Sequence, residues 1–133
     1  MLAKQVNLPI EPPRRNFNSG LALQTGELVR ARAGDEAAAR FHHAVSRAYF
    51  VDGADIADPA VVERYAAAEG IEAADVRAAW ERRDYARAVE ESMRAAFAAG
   101  VRGVPAYGWP GTPAVSGMME PARIVAALRS LRP

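Results

Sequence analysis

The stretch GVRGVPAYGWPGTPAVSG, residues 100–117, sets five glycines and three prolines among eighteen positions of a chain otherwise rich in alanine and helix formers. Gly100 stands where a helix must stop, because glycine takes the left-handed conformation after a last helical turn without a steric penalty. VRGVPAYGW and PAVSG are short β-leaning runs, and the PGT between them is a turn signal. A small hairpin is the natural reading. Beyond it Pro121 opens an amphipathic helix in which Ile124, Val125, Leu128 and Leu131 are spaced to face a core.

Upstream of Gly100 the pattern changes to helices joined by short loops. Asn18 and Ser19 are suited to cap a helix over about residues 20–33, which Gly34 ends and Asp35 follows as the next cap. Phe41, Ala44, Val45, Ala48 and Tyr49 then lie at helical spacing on one stripe, and Gly53 breaks it. Asp58 followed by Pro59 is a strong helix start, with Gly70 as its stop. Two more helices are predicted, over about 73–82 and 84–99, the second with Tyr85, Val89, Met93, Ala96 and Phe97 on one face. The expected fold is therefore α+β and mainly helical. One domain is expected, with an N-terminal loop (1–18), a five-helix body (19–99) and a hairpin with a closing helix (100–133).

Composition narrows the function classes. Half of the 133 residues are hydrophobic and a quarter charged, as in ordinary globular proteins. Seventeen basic against sixteen acidic side chains leave a formal net charge of +1, so no electrostatic argument favours nucleic acid or an anionic membrane. The opening MLAKQVNLPIEPPRR holds no apolar run of seven, which speaks against a signal peptide, and no later run is of membrane-spanning length. A cytoplasmic location is the corresponding expectation. Cysteine is absent altogether, which removes disulfides, thiolate nucleophiles and Cys-type zinc sites.

Several residue pairs have ordinary structural readings. His42 and His43 are adjacent, so on a helix they point about 100° apart and cannot chelate one ion; a packed histidine beside a surface one accounts for them. Glu90 and Glu91 lie among arginines, where ion pairing explains them without acid–base catalysis. Arg14 and Arg15 have the chemistry to hold a carboxylate or phosphate, although an exposed pair beside two prolines is more often simply solvated. Trp80 reads as a core residue, and Trp109, in the hairpin, as the better pocket wall.

Taken in order, the helix stop at Gly100, GVP entering a strand, AVSG on a second strand and EPARIVAAL as a closing helix resemble the C-terminal half of the DsbA-like thioredoxin-fold proteins. That superfamily includes FrnE-type dithiol-disulfide isomerases, 2-hydroxychromene-2-carboxylate isomerases and kappa-class glutathione transferases. PPRRNFNSGLAL, AVSRAYFVDGADIADPAVV and AAEGIEAADVRAAW are similar to the helical insertion of FrnE-type members, so the resemblance runs from about Asn7 to Leu131. It implies that the Val104–Pro105 peptide is cis and that Val104 and Pro105 form the corner at which a thiol substrate or glutathione pairs in an extended manner. Spacing alone points the other way, since cis makes up only about 5–6% of X-Pro bonds. The resemblance further implies that Ser116 and Gly117 lie near the glutamyl end of a glutathione, and that Arg14, Arg15, Asn16 and Asn18 border the cleft. A turn or capping role accounts for Ser116 equally well.

The chain departs from the family in one decisive respect. Relatives carry an opening β-α-β unit with Cys-x-x-Cys, or a serine in place of the first cysteine, and this chain is expected to start after it. Without cysteine these residues cannot run dithiol exchange, which needs a thiolate attacker. A two-stranded hairpin is also marginal alone, so its outer edge is expected to be covered by a second copy in a homodimer or by a chain supplying the missing β-α-β. Three functions remain open: a degenerate DsbA-like oxidoreductase, a glutathione-linked isomerase or transferase completed by a partner segment, and a non-catalytic homo-oligomeric binding module. Glutathione is the one cofactor implied; no metal, nucleic acid or membrane partner is expected.

Overall fold

A computed structural model describes residues 9–10, 16–109 and 111–130. Its elements are α1 (Gly20–Phe50), α2 (Pro59–Ala67), α3 (Ala73–Arg82), α4 (Ala86–Ala98), β1 (Ala106–Tyr107), β2 (Val115–Ser116) and α5 (Pro121–Ser130). The fold is mainly helical α+β, as the residue pattern predicts. The chain divides into two compact units, Met1–Glu90 and Glu91–Pro133, and the division falls inside α4. No helix among the described residues is long and apolar enough to cross a membrane.

In the first unit α1 is two helical limbs meeting at Gly34, whose φ of 89° and ψ of 176° lie outside the helical region. An L side chain rarely adopts that φ, which is why the break falls at a glycine. Asp35, expected to cap the second limb, instead accepts a hydrogen bond from Arg30 Nε at 3.1 Å. The predicted stripe is present: Phe41, Val45 and Ala48 are buried, with Ala44 and Tyr49 half-buried beside them. The α2 start follows its sequence signal, the Asp58 carboxylate accepting from the Ala60 N–H at 2.9 Å with Pro59 in the first turn.

α1 packs on α2 and α3, which also pack on each other. Phe41, Leu28, Val29, Val62 and Val76 are fully enclosed there, and Phe17, Tyr49, Tyr65, Trp80 and Tyr85 wrap the cluster. The one hydroxyl at the centre is satisfied twice. Thr25 Oγ1 donates to the Leu21 carbonyl at 2.8 Å and accepts from Trp80 Nε1 at 3.0 Å. Bidentate pairs tie the helices together at the rim, Arg77 on Glu63 between α3 and α2 and Arg40 on Glu69 at the end of α2.

The second unit is built differently. β1 and β2 pair antiparallel, with Ala106 opposite Ser116 and Tyr107 opposite Val115, and they form the whole sheet among the described residues. The strands are two residues each, much shorter than the β-leaning runs that predict them. Neither α4 nor α5 carries a buried residue. The expectation that Val125 and Leu128 face a core is therefore corrected: they are 44% and 55% exposed, Ile124 is half-buried, and Leu131 lies outside the described residues. A helical period specifies an apolar face but not what stands opposite it.

Candidate functional site

The corner is assembled from the end of α4 onward. Gly100 takes a φ of 91°, and the Val101 N–H bonds the Ala96 carbonyl at 3.0 Å while the Gly100 N–H bonds the Phe97 carbonyl at 3.0 Å. This paired pattern closes the helix and turns the chain back. Arg102 reinforces the closure: its Nη1 donates to the Phe97 carbonyl at 2.7 Å and the Val101 carbonyl at 3.0 Å, with the guanidinium 5.9 Å from the Phe97 ring centroid. Its charge thus lies where the last carbonyls of a helix concentrate negative potential.

From this anchored turn the chain enters the Val104–Pro105 peptide, which is cis. Three hydrogen bonds fasten the stretch before β1 to the returning chain around β2. The Ala114 N–H donates to the Ala99 carbonyl at 2.8 Å, the Gly117 N–H to the Pro105 carbonyl at 2.8 Å, and the Arg102 N–H to Ser116 Oγ at 3.1 Å. Because the Pro105 carbonyl faces β2, the alternation of an antiparallel ladder turns the Ala106 N–H and carbonyl away from β2, toward the open edge of the sheet. No strand lies on that edge among the described residues. Val104 precedes it and is 91% exposed.

Beside the corner is a hollow of about 270 Å³, lined by Met93, Ala96, Phe97, Val101, Arg102, Gly103 and Val104. Met93 and Phe97 are half-exposed in it, at 53% and 56%. The sequence places both on one face of the helix with Tyr85, Val89 and Ala96, but helical spacing does not show that this face borders a hollow. Arg102 was missed as well; its only sequence signal is a cation placed just past a helix C-terminus.

The other sequence-derived candidates take these positions. Ser116 Oγ serves as acceptor for the Arg102 N–H, and the Gly117 N–H is committed to Pro105. Trp109 is half-buried, and its carbonyl accepts from both the N–H and the hydroxyl of Thr112, closing the hairpin turn. In the first unit Asn18 Oδ1 accepts from the Gly20 N–H at 2.8 Å, so the side chain serves the start of α1 while bordering a hollow of about 290 Å³ with Leu21, Gln24 and Ala57. Asn16 is exposed. Arg14 and Arg15 lie outside the described residues.

The family model of the DSBA-like thioredoxin domain matches residues 1–129. The chain belongs to that family. No curated protein matches it. In this DSBA-like chain the Val104–Pro105 peptide is cis, and the 133 residues contain no cysteine. What the arrangement offers is backbone hydrogen bonding at an open strand edge, next to an exposed apolar side chain and an apolar hollow.

Proposed function

We propose that this DSBA-like chain is a binding member of its family that holds an extended, thiol-bearing peptide or glutathione along the edge at Val104 and Ala106. The observation that carries the reading is that edge itself, since the Ala106 backbone groups turn away from β2 and Val104 stands 91% exposed in front of them. A strand adding to an open edge gains main-chain hydrogen bonds whatever its sequence, and this suits a protein that meets many thiol peptides. Oxidoreductase or isomerase chemistry at the corner needs a thiolate from outside these 133 residues, because none of their side chains provides one. In the Trp80→Phe variant, titration with a short cysteine peptide and with glutathione is followed by Trp109 fluorescence. A saturable change with either ligand is expected; a flat signal with both contradicts the proposal.

A second reading is favoured by a separate observation. Met118, Val125 and Leu128 are 68%, 44% and 55% exposed in a unit of modest size, and apolar surface of this kind marks association. Closure by a second copy of the chain predicts a concentration-dependent dimer in sedimentation. A monodisperse monomer over a hundredfold concentration range is the result that removes it.

A further inference from the structure

We infer that the Asp52–Gly53 bond, in the loop between α1 and α2, is a modification site at which the aspartate isomerises through a cyclic imide and leaves isoaspartate in the main chain. Both reacting groups are free. Every other aspartate has its carboxylate engaged: Asp35 takes Arg30, Asp75 takes Arg32, Asp84 takes Arg82, and Asp55 and Asp58 accept the Ala57 and Ala60 N–H groups. Asp52 is exposed, and among the described residues no hydrogen bond or ion pair takes up its side chain. The Gly53 N–H, which supplies the nucleophilic nitrogen, has no acceptor among them either. On either side of it the Asp52 and Ala54 N–H groups are held, by the Arg47 carbonyl at 3.3 Å and the Ala48 carbonyl at 2.9 Å.

Glycine completes the site. A side chain on the residue that gives the nitrogen crowds the ring closure, and glycine has none. Asp52 is the one aspartate followed by glycine; Asp55 and Asp75 precede β-branched Ile56 and Val76, and Asp58 precedes Pro59, which has no N–H to lose. Gly53 is exposed, its φ is 65°, and beyond its chain neighbours no atom lies within 4 Å of the space a Cβ would take, so nothing packs over the bond.

The reaction balances with water alone. With the Asp52 carboxyl protonated, the Gly53 nitrogen bonds Cγ, loses its proton, and a carboxyl oxygen leaves as water. Water then opens the imide. Attack at Cγ restores aspartate, whereas attack at the original main-chain carbonyl carbon breaks its bond to the Gly53 nitrogen, and the chain runs on through Cβ and Cγ beside a free α-carboxylate. The isomer adds one methylene to the main chain between the two held N–H groups of Asp52 and Ala54, which loosens the closure of α1.

The test ages the full chain for several weeks in mildly acidic buffer and maps it with trypsin, which releases residues 48–64 and with them both Asp52 and Asp55. Electron-transfer fragmentation, which distinguishes isoaspartate from aspartate, is expected to find at least tenfold more isoaspartate at position 52 than at position 55; a smaller excess overturns the site. The folded chain should form it at a rate within tenfold of a synthetic peptide of residues 48–64, and a slower rate overturns the claim that the fold leaves the bond free. Asp52→Glu, an exposed change that would have to close a six-membered ring, should stay unmodified at position 52; modification there at the unaltered rate assigns the signal to other chemistry and also overturns the site. In aged protein the Ala54 amide should exchange faster than in fresh, and an unchanged rate overturns the effect on α1.

Discussion

Thr25 shows how a polar group is accommodated at the centre of the first unit. It is fully enclosed, its hydroxyl bonds the Leu21 carbonyl, and the same oxygen accepts the Trp80 indole N–H. Thr25→Val keeps the shape but leaves the Trp80 donor without its partner, so a loss of about 1–3 kcal/mol is expected in urea denaturation. Trp80→Phe in the Thr25→Val background removes the stranded donor, and the second substitution should then cost less than it does alone. At the corner, Ser116 Oγ takes the Arg102 N–H. Ser116→Ala should therefore speed hydrogen exchange at the Arg102 amide while leaving the amides of α1 unchanged; an unaltered Arg102 rate counts against the latch.

Among the elements, α2 and α3 are joined by the Glu63–Arg77 pair, with hydrogen bonds of 2.6 and 2.7 Å. Hydrogen bonds from the guanidinium hold the Glu63 carboxyl below its ordinary range, outweighing the burial that pushes it upward. A carboxyl whose folded value is depressed contributes stability above its unfolded value, about 4.3, and loses it as the pH falls through the lower folded value. Glu63→Gln should thus lower the melting midpoint at pH 7 and lose that deficit progressively as the pH falls from the unfolded value through the lower folded one, a difference that paired thermal scans measure directly. At the α2 start, Asp58→Ala removes the acceptor of the Ala60 N–H and should cost about 1 kcal/mol.

How far these elements were legible follows from how local their causes are. Asp58–Pro59, the break at Gly34 and the helix stop at Gly100 each rest on one residue's backbone preference, and each is present where the sequence puts it. The strands came out shorter than their runs because residue type alone does not show where pairing ends, and Pro113 has no N–H to offer a ladder. The apolar faces of α4 and α5 were legible as faces, but their exposure was not, because burial depends on what stands opposite. The corner residues Val104, Pro105 and Ser116 were found through family resemblance, whereas Arg102, Met93 and Phe97, which shape the hollow, gave only the signals of a helix end and a shared helix face.

At the scale of the whole molecule, the two units divide the work differently. Met1–Glu90 encloses Phe41, Leu28, Val29, Val62 and Val76 and satisfies its buried hydroxyl, whereas Glu91–Pro133 presents an open strand edge and exposed apolar side chains. The first has the features of a scaffold and the second those of a surface. The claim that joins them to function is that an extended peptide pairs with the Ala106 main chain, and amide NMR reads this most directly. On addition of a short cysteine peptide, the Ala106 amide should shift saturably and exchange with solvent at least tenfold more slowly, while the Tyr107 amide, which faces β2, changes little. An Ala106 amide that neither shifts nor gains protection at saturating peptide contradicts the account.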